Sequence, residues 1–318
     1  MPYKMSREEA ISRIEAASHP SDLFGRDPSR TYRRLARLTH PDARPGDARA
    51  ARAFAKLATL WRQHRGNQDP VRLVASGDLA NLYESRQGLL KLPRDPADND
   101  LMEREAAALE RLRAHGDRRY LPYVPRLLEV QRHLDPRSGA RRHANALERL
   151  RGFRSLAEVH RAFPDGVDPR DVAWMWRRLL VAVGFAHRVG LVHGAVLPEH
   201  VMIHPGEHGL TLVDWCYSVS DHTDHVPAIV ERYRHWYPPE VLERRRPGPS
   251  TDIHLATRCM TQLMGARAPR PLITFARGCA LPNPKRRPHD AWRLLGEFDE
   301  LLERLYGPRR FRPFAIPA

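Results

Sequence analysis

Cysteine is scarce in this sequence, and the few cysteines present do not form a recognisable ligand or disulfide pattern. Cys216, Cys259 and Cys279 are widely spaced among 318 residues and lack the paired spacing of a zinc site. A chain without a disulfide framework is typical of a reducing compartment. We therefore expect a cytoplasmic protein with no structural disulfide, no zinc and no haem.

Long hydrophobic runs are also missing. No apolar stretch approaches the roughly 20 residues that a helix needs to span a bilayer, and the N-terminus lacks the apolar centre of a signal peptide. These absences predict a soluble intracellular protein without a membrane partner. Hydrophobic residues still make up 42% of the chain, and 318 residues exceed the usual size of one domain, so we expect two or more domains.

Lysine is rare, although the chain as a whole is strongly basic. Lysine occurs only at four positions, whereas Lys and Arg together number 53 against 38 Asp and Glu, which gives a net charge of +15. Such an excess favours an acidic partner, such as nucleic acid or an acidic protein face. A general preference for arginine over lysine explains the same excess without a dedicated site. Nucleic-acid binding is therefore kept only as a lesser alternative.

The patterns that are present begin with three predicted helices. Residues 6–17 open with Ser and, three residues later, Glu, a capping-box arrangement that predicts the first helix. Asp27 and Pro28 provide an N-cap and a first-turn proline for a second helix, which runs to about Thr39. The exposed face of that helix is basic, through Arg30, Arg33, Arg34 and Arg37. A third helix has an apolar face of Phe54, Leu57, Ala58 and Trp61.

A His-Pro-Asp tripeptide separates the second and third helices. The stretch YRRLARLTHPDARPGDARAARAFAKLATLW resembles the J-domain of heat-shock co-chaperones, and the resemblance covers roughly residues 5–64. In that family the basic helix and the tripeptide dock on the seventy-kilodalton heat-shock chaperone and stimulate its ATP hydrolysis. The resemblance implies chaperone binding by His40, Pro41, Asp42, Arg33, Arg34 and Arg37. No separate fourth helix is evident before residues 63–70, and a plain helical hairpin with a solvated basic face is the alternative.

The pattern changes from helical to alternating at Val71. VRLVASGDLANLYESRQGLLKL predicts two or three strands that end near Lys91, and an amphipathic helix from about Asn99 to Ala114 follows. Lys91 on a strand and Glu105 on the next helix are suited to an ion pair that orients an amine toward phosphate oxygens. An ordinary exposed strand lysine is the alternative.

Two short apolar runs near residue 200 predict a hairpin. VMI at 201–203 and LTLV at 210–213 are separated by the turn-forming sequence HPGEHG. His193 lies before the hairpin and Asp214 directly after it. Taken alone, this stretch is equally well explained as a half-buried hairpin with a satisfied histidine and a turn-capping aspartate.

Residues 71–305 resemble the protein kinase fold along nearly their whole length. Lys91 matches the family's strand lysine, and Glu105 in MEREAAALERL matches its helix partner. DPRDVAWMWRRLLVAVGFAHRVGLVHG resembles the long helix that precedes the catalytic loop. The residues whose family counterparts hold the larger lobe together are His193, Glu240 in WYPPEVL, Asp252 in STDIHLATRCMTQLMG, and Arg287 in NPKRRP. The resemblance implies an α+β fold with a β-rich N-lobe, an α-rich C-lobe and a pair between Arg287 and Glu240.

The departures from that family fall on the residues that perform the chemistry. The family's catalytic loop has His-Arg-Asp followed by Leu-Lys-Pro-Glu-Asn, whereas this chain reads His-Gly-Ala-Val-Leu-Pro-Glu-His. Ala195 stands where the general base is expected and Leu197 where a lysine offsets phosphate charge. His200 replaces the metal-binding asparagine, although magnesium prefers oxygen ligands. Of the metal ligands only Asp214 is retained.

The glycine-rich loop is reduced as well, since residues 75–80 keep Gly77 alone of the family's three glycines. Retained lobe contacts combined with missing transfer residues are typical of a pseudokinase. Loss of a general base alone costs about two to four orders of magnitude in rate, so efficient phosphoryl transfer is not expected. Lys91, Glu105 and Asp214 leave open whether ATP binds, weakly or without metal, and whether magnesium takes part.

These inferences combine into one functional hypothesis with two alternatives. The leading hypothesis is a non-catalytic co-chaperone or adaptor, in which a J-like domain engages a heat-shock ATPase and a pseudokinase domain binds a client or senses nucleotide. The alternatives are an atypical ATP-dependent kinase or nucleotidyl transferase that uses Lys91 and Asp214, and a nucleic-acid-binding protein. The predicted domains are a J-like domain at 1–64, a linker at 65–70, an N-lobe and hinge at 71–153, a C-lobe at 154–306 and a basic tail at 307–318. The tail is expected to be a solvated charge run, with an interaction surface as the alternative.

Overall fold

The computed structural model describes residues 5–25, 27–40, 47–66, 72–134, 141–220 and 225–317. The chain divides into two compact units, Met1–Arg72 and Leu73–Ala318. Each unit has its own cluster of buried hydrophobic residues. The first unit is helical in its described part, and the second combines sheets with helices.

The first unit contains the three predicted helices and one additional short helix. Its described residues form α1 (Arg7–Ala16), α2 (Pro20–Leu23), α3 (Pro28–Thr39) and α4 (Ala48–Gly66). The predicted capping box is present at α1, because the Ser6 hydroxyl accepts a hydrogen bond from the Glu9 amide and the Glu9 carboxylate accepts one from the Ser6 amide. Asp27 caps α3 by accepting a hydrogen bond from the Arg30 amide. The start of each helix is therefore fixed locally.

The core of the first unit lies between α1, α3 and α4. Ile14, Leu35 and Leu57 contribute one fully buried side chain from each of these helices. The short helix α2 was not predicted, and its Leu23 adds to the same core. Helix α4 continues to Gly66 and so extends into the predicted linker, while residues 67–71 lie outside the described part of the chain.

The second unit begins with a five-stranded antiparallel sheet. Its strands, in the spatial order β1-β2-β3-β5-β4, are β1 (Leu73–Ser76), β2 (Ala80–Glu84), β3 (Leu89–Pro93), β4 (Leu127–Leu134) and β5 (Arg141–Leu147). Helix α5 runs over Asn99–His115, within one residue of the predicted helix, and buries Leu101, Met102 and Leu109. Lys91 therefore lies on the central strand of the sheet, and Glu105 lies on the adjoining helix.

The rest of the second unit is mainly helical. Its helices are α6 (Leu156–Ala162), α7 (Pro169–Arg188), α8 (Pro239–Leu242), α9 (Pro249–Met264), α10 (Arg270–Cys279) and α11 (Ala291–Tyr306). A small sheet of β6 (Arg154–Ser155), β7 (Val201–His204) and β8 (Gly209–Leu212) contains the hairpin that the sequence predicts. The second unit thus combines a five-stranded sheet with a helical part, as expected of an α+β chain.

Helix α7 lies at the centre of the helical part. It buries residues on most of its circumference, including Trp176 and Phe185, which is the pattern of a helix surrounded by other elements. Phe298 of α11 packs against Trp176, with ring centroids 4.8 Å apart. Each aromatic side chain of this kind contributes about 1.5–3 kcal/mol through burial. The loops around α7 therefore begin and end on a well-packed hydrophobic core.

The segment after α11 corrects the expectation of a solvated charge run. Phe314 is only 7% exposed, and Arg312 forms ion pairs with Asp168 and Asp171 of the α7 N-terminus. Residues 309–311 are exposed, so the basic character of the segment is only partly directed to solvent.

No helix in the described ranges combines the length and the apolar character that crossing a membrane requires.

Candidate functional site

The candidate site is centred on the Lys91 amine, which lies among carboxylates. Lys91 Nζ donates a hydrogen bond to Glu105 Oε1 at 2.8 Å and another to Asp214 Oδ1. The lysine side chain is 5% exposed. Burial disfavours the charged amine, but the Asp214 and Glu105 carboxylates outweigh this effect and raise the pKa of Lys91 well above its ordinary value. The predicted ion pair with Glu105 is therefore present, and a second carboxylate shares the lysine.

Glu105 is held by a residue that the sequence analysis missed. Its side chain is fully buried, and its second oxygen accepts a hydrogen bond from Asn145 Nδ2 at 3.0 Å. Asn145 also donates to the Met102 carbonyl at 2.9 Å, so it links β5 to α5. The detectable signal was a polar residue at an inward position of the apolar strand sequence ANAL.

Asp214 follows β8 and has a left-handed backbone conformation, with φ of 65°. Burial favours its neutral form, but its side chain remains 31% exposed, and Lys91 and His200 hold the pKa of Asp214 well below its ordinary value. Cys216 lies next to it, with Sγ 3.7 Å from Lys91 Nζ, and burial raises the pKa of this thiol. Asp214 is therefore ionised at neutral pH, whereas Cys216 is an unreactive neutral thiol.

The loop that precedes the hairpin is anchored at its base by Asp252 of α9. The Asp252 carboxylate accepts hydrogen bonds from the His193 amide at 2.8 Å and from the Gly194 amide at 2.9 Å. It also bonds to His187 Nε2 at 2.9 Å. Gly194 has φ of 79°, and a Cβ atom there would lie 2.8 Å from the Tyr217 carbonyl oxygen, so only glycine fits.

The His193 ring is a structural group in this arrangement. Its Nε2 donates to the Val213 carbonyl at 2.9 Å, which ties the loop to the end of β8. Burial lowers the pKa of His193 to about 4, so the ring is neutral at neutral pH. Trp215 packs edge-on against it, with ring centroids 4.7 Å apart.

Two of the three loop positions singled out by the sequence offer no group for proton or phosphate chemistry. Ala195 is fully buried and Leu197 is 1% exposed, and both belong to the hydrophobic core. His200 donates from Nδ1 to the Ala195 carbonyl at 2.8 Å, while its Nε2 lies 3.6 Å from Asp214 Oδ2. His200 is therefore the only one of these three positions that reaches the candidate site.

A second buried ion pair lies deeper in the helical part. Arg287 Nη2 donates to both oxygens of Glu240, at 2.6 and 2.7 Å, as predicted. Both side chains are nearly inaccessible to solvent. Thr251 donates to Glu240 Oε1 at 2.8 Å, and Arg287 Nη1 donates to the Ser250 carbonyl at 3.1 Å. Charge pairs that are buried this deeply depend on such additional hydrogen bonds.

Gly77 lies in the tight turn between β1 and β2. Its amide donates to the Ala80 carbonyl at 2.8 Å, and a Cβ atom on Gly77 would approach the same oxygen to 3.0 Å. Asp78 in this turn pairs with Arg232 at 3.5 Å, and Arg232 also lies 3.5 Å from Glu199. Arg232 thus connects the turn to the loop of the helical part, a contact that sequence reasoning did not foresee.

The donor set does not match a magnesium site. Ligand atoms of Glu105, Asp214 and Cys216 lie within 4.8 Å of one another, but the Lys91 ammonium already donates to both carboxylates. Magnesium requires several oxygen ligands, and His200 supplies nitrogen next to the single accessible carboxylate. These residues do not fit a pair of magnesium ions.

The predicted chaperone-binding residues lie on the first unit, and four of the six are described. His40 is exposed at the end of α3, and its ring contacts Phe54 of α4 edge-on, with centroids 5.0 Å apart. Arg33, Arg34 and Arg37 are exposed on α3. Pro41 and Asp42 lie outside the described residues. The structure therefore places the four described residues on one helix and its C-terminal end.

Comparisons with known proteins give limited information. No protein-family model matches the chain. A stretch of 45 residues is 40% identical to casein kinase II subunit alpha' of Saccharomyces cerevisiae. This match covers 14% of the chain and 13% of that protein, so the similarity concerns one segment of each.

Proposed function

We propose that the protein is a non-catalytic adaptor. In this proposal a kinase-like unit, Leu73–Ala318, binds nucleotide or a client without transferring phosphate, and a J-like unit engages a seventy-kilodalton heat-shock ATPase. The observation that carries the first half is the buried alanine at position 195, where the resemblance to kinases expects the general base. The second half rests on the basic helix α3, which ends at His40.

Several features support a kinase-like fold for the second unit. In protein kinases the phosphate-binding lysine lies on the third strand and pairs with a glutamate of the next helix, and Lys91 on β3 and Glu105 on α5 have this arrangement. Asp214 follows the hairpin and reaches the same lysine. The short similarity to a casein kinase subunit agrees with this interpretation but is too short to carry it alone.

Phosphoryl transfer is not part of the proposal because the required groups are missing. A general base must accept the proton of the acceptor hydroxyl, and the Ala195 methyl group has no lone pair for it. Leu197 is buried in the core and offers no charge to a phosphate. Loss of the base alone costs about two to four orders of magnitude in rate, and the nitrogen donor of His200 weakens metal binding in addition.

A thermal-shift titration with ATP tests nucleotide binding directly. ATP at about ten times its Kd would add about 1.4 kcal/mol of stability, a rise in Tm of roughly 3–6 °C. We expect this rise with or without magnesium, because the cation that meets the phosphate is Lys91. A flat titration with ATP in both buffers would remove the nucleotide-sensing part of the proposal.

The matched variants for this titration are Lys91→Met/Glu105→Gln and Lys285→Met. The double substitution removes the lysine together with its fully buried partner, and its other partner, Asp214, is 31% exposed, so no unpaired charge is left fully buried. Lys285 is exposed and serves as the control for the loss of one lysine. The ATP-dependent shift should disappear in the first variant and persist in the second.

The chaperone half is tested on the ATPase activity of a purified seventy-kilodalton heat-shock protein. The full chain should raise ATP turnover, and His40→Gln should abolish this effect. Arg13→Gln, on the exposed face of α1, is the control and should leave the stimulation intact. Equal turnover with the unmodified chain and with His40→Gln would refute chaperone engagement.

One observation favours a second candidate function, an atypical kinase or nucleotidyl transferase. Glu199 accepts from Tyr233 at 3.0 Å, but its other oxygen has no partner among the described residues. This oxygen is buried, so its use as a base in an altered role requires that substrate binding expose it. ATP labelled at the γ-phosphate or the α-phosphate distinguishes the two transfers. Protein labelling that Asp214→Asn abolishes would favour this candidate over the adaptor.

A further inference from the structure

The segment 307–317 is bound to the helical part in an extended conformation with alternating burial. Arg312, Phe314 and Ile316 are turned toward the protein, whereas Pro313 and Ala315 are exposed. Successive side chains of an extended chain point to opposite sides, so one face of residues 312–316 makes these contacts. The exposed Phe311 ring before them also contacts His208, with centroids 4.6 Å apart. The inward residues form the pattern Arg-x-Phe-x-Ile.

The arginine of this pattern is recognised by two acidic residues at the start of α7. Arg312 Nε donates to Asp171 Oδ1 at 3.1 Å, and its Nη2 lies 3.4 Å from both Asp171 Oδ2 and Asp168 Oδ2. Asp168 also caps the helix by accepting from the Arg170 amide at 2.9 Å. The Asp168 carboxylate is therefore held by the helix itself, independently of Arg312.

The two apolar residues of the pattern contact an aromatic surface. The Phe314 ring stacks on Phe163 at the end of α6, with centroids 5.7 Å apart, and meets Trp174 edge-on at 6.2 Å. Ile316 packs against the same hydrophobic core. Stacked and edge-on aromatic pairs of this kind add to the stability that burial gives.

We infer that this surface, formed by Phe163, Asp168, Asp171 and Trp174, is a docking site for client segments of the form Arg-x-Phe-x-Ile. The segment 307–317 then occupies the docking surface as an internal competitor. The inference adds a client contact to the proposed adaptor, and it depends neither on nucleotide binding nor on the chaperone. The partner is a protein segment that presents one arginine and two apolar residues at alternate positions.

The chemistry of the bound segment explains why an external peptide can take its place. Pro308, Pro313 and Pro317 have no backbone N–H, so the segment offers few main-chain donors, and their fixed φ angles restrict its conformations before binding. The Arg312 side chain is 40% exposed, and ion pairs at such exposure are weak. A tethered segment acts at an effective concentration of about millimolar, which an external peptide can match.

A fluorescent peptide with the sequence of residues 308–317, PRRFRPFAIP, tests the inference by anisotropy. The full-length variant R312E/F314A releases the internal segment and should bind the peptide at least roughly tenfold more tightly than the unmodified chain. The full-length control variant R310E/A315S changes two exposed residues of the same segment and should bind as weakly as the unmodified chain. A control peptide with alanine at the positions of 312, 314 and 316 should bind none of the three proteins.

Three results would overturn the inference. The first is that all three proteins bind the peptide equally tightly, and the second is that the control peptide binds as tightly as the test peptide. The third is that peptide binding appears only when copies of the chain associate, which would assign the surface to segment exchange between copies. If R312E/F314A loses its cooperative thermal transition, hydrogen exchange on the unmodified chain replaces it. Excess peptide should then speed the exchange of the amides of 311, 312, 314 and 316, and unchanged exchange would equally refute the inference.

Discussion

Two sets of residues in the second unit differ sharply in the polar groups that they offer. The anchor residues, Asp252, Glu240 and Arg287, form buried hydrogen-bonded networks with oxygen and nitrogen atoms at 2.6–3.1 Å. The transfer positions, Ala195, Leu197 and His200, offer two core side chains and one imidazole. Hydrogen bonds to Asp252 thus hold the backbone at the start of the loop. Position 195 in its middle carries no side chain that could accept a proton.

The largest expected effect comes from breaking the deeper anchor. Arg287→Ala would leave the buried Glu240 carboxylate without its cation, and such a loss costs about 3–5 kcal/mol. Chemical denaturation of the full chain measures this change in the free energy of unfolding of the second unit. Arg286→Ala removes an exposed arginine next to it and should change stability by less than about 0.5 kcal/mol. Similar values for both variants would contradict the anchor role.

The second effect concerns the base of the loop itself. Asp252→Ala would leave the amides of His193 and Gly194 without an acceptor, and unsatisfied buried donors cost about 1–3 kcal/mol each. We expect a net loss of about 3 kcal/mol, measured by urea denaturation. Asp165→Ala, at an exposed loop position, is the control and should be nearly neutral. A neutral Asp252→Ala would show that the loop does not need this anchor.

The third prediction uses the pH dependence of two buried histidines. Burial lowers the pKa values of His193 and His254 from 6.5 to about 4 in the folded chain. The unfolded chain therefore binds more protons below pH 6.5, and stability falls as the pH drops from 6.5 toward 4. Each histidine contributes a slope of up to about 1.4 kcal/mol per pH unit.

Urea denaturation between pH 7.5 and pH 5 measures this slope. His254→Gln removes one of the two groups and should reduce the slope by about half, although it also lowers stability at pH 7.5. His235→Gln changes an exposed histidine and should leave the slope unchanged. An identical slope in His254→Gln would show that the buried histidines do not control the acid response.

The smallest effect is expected at a transfer position. Leu197→Met conserves volume in the core and should cost less than about 1.5 kcal/mol. Because Leu197 does not reach the Lys91 site, the ATP-dependent thermal shift should keep its size. A variant that retains its stability but loses the shift would place position 197 in the nucleotide site and would weaken the contrast between the two sets of residues.

Much of the local structure was predictable because it follows from short-range patterns. The capping box of α1, the proline-started α3, the helix at residues 99–115 and the hairpin after residue 200 are signalled within a few residues of sequence. The pairs Lys91–Glu105 and Arg287–Glu240 were predicted from motif order and are present. The short helix α2 and the end of α4 were missed, although Pro20 begins α2, Asp22 caps it and Gly66 ends α4.

The contacts that were not predictable join positions far apart in the chain. Asp214 reaches Lys91 across 123 residues, and Asn145 reaches Glu105 across 40. Arg312 meets Asp171 across 141 residues, which turned a predicted charge run into a bound segment. Such contacts depend on how helices and sheets pack, and no local periodicity encodes them.

The sequence by itself determined the order of helices and strands and the chemical identity of each site position. Alanine has no group that accepts a proton in any fold, so the prediction that position 195 lacks a general base needed only the sequence. Only the tertiary structure decided that Lys91 is shared by two carboxylates, that Leu197 belongs to the core, and that residues 307–317 cover the start of α7. The reason is physical: covalent identity fixes what a group can do, whereas packing fixes which groups meet.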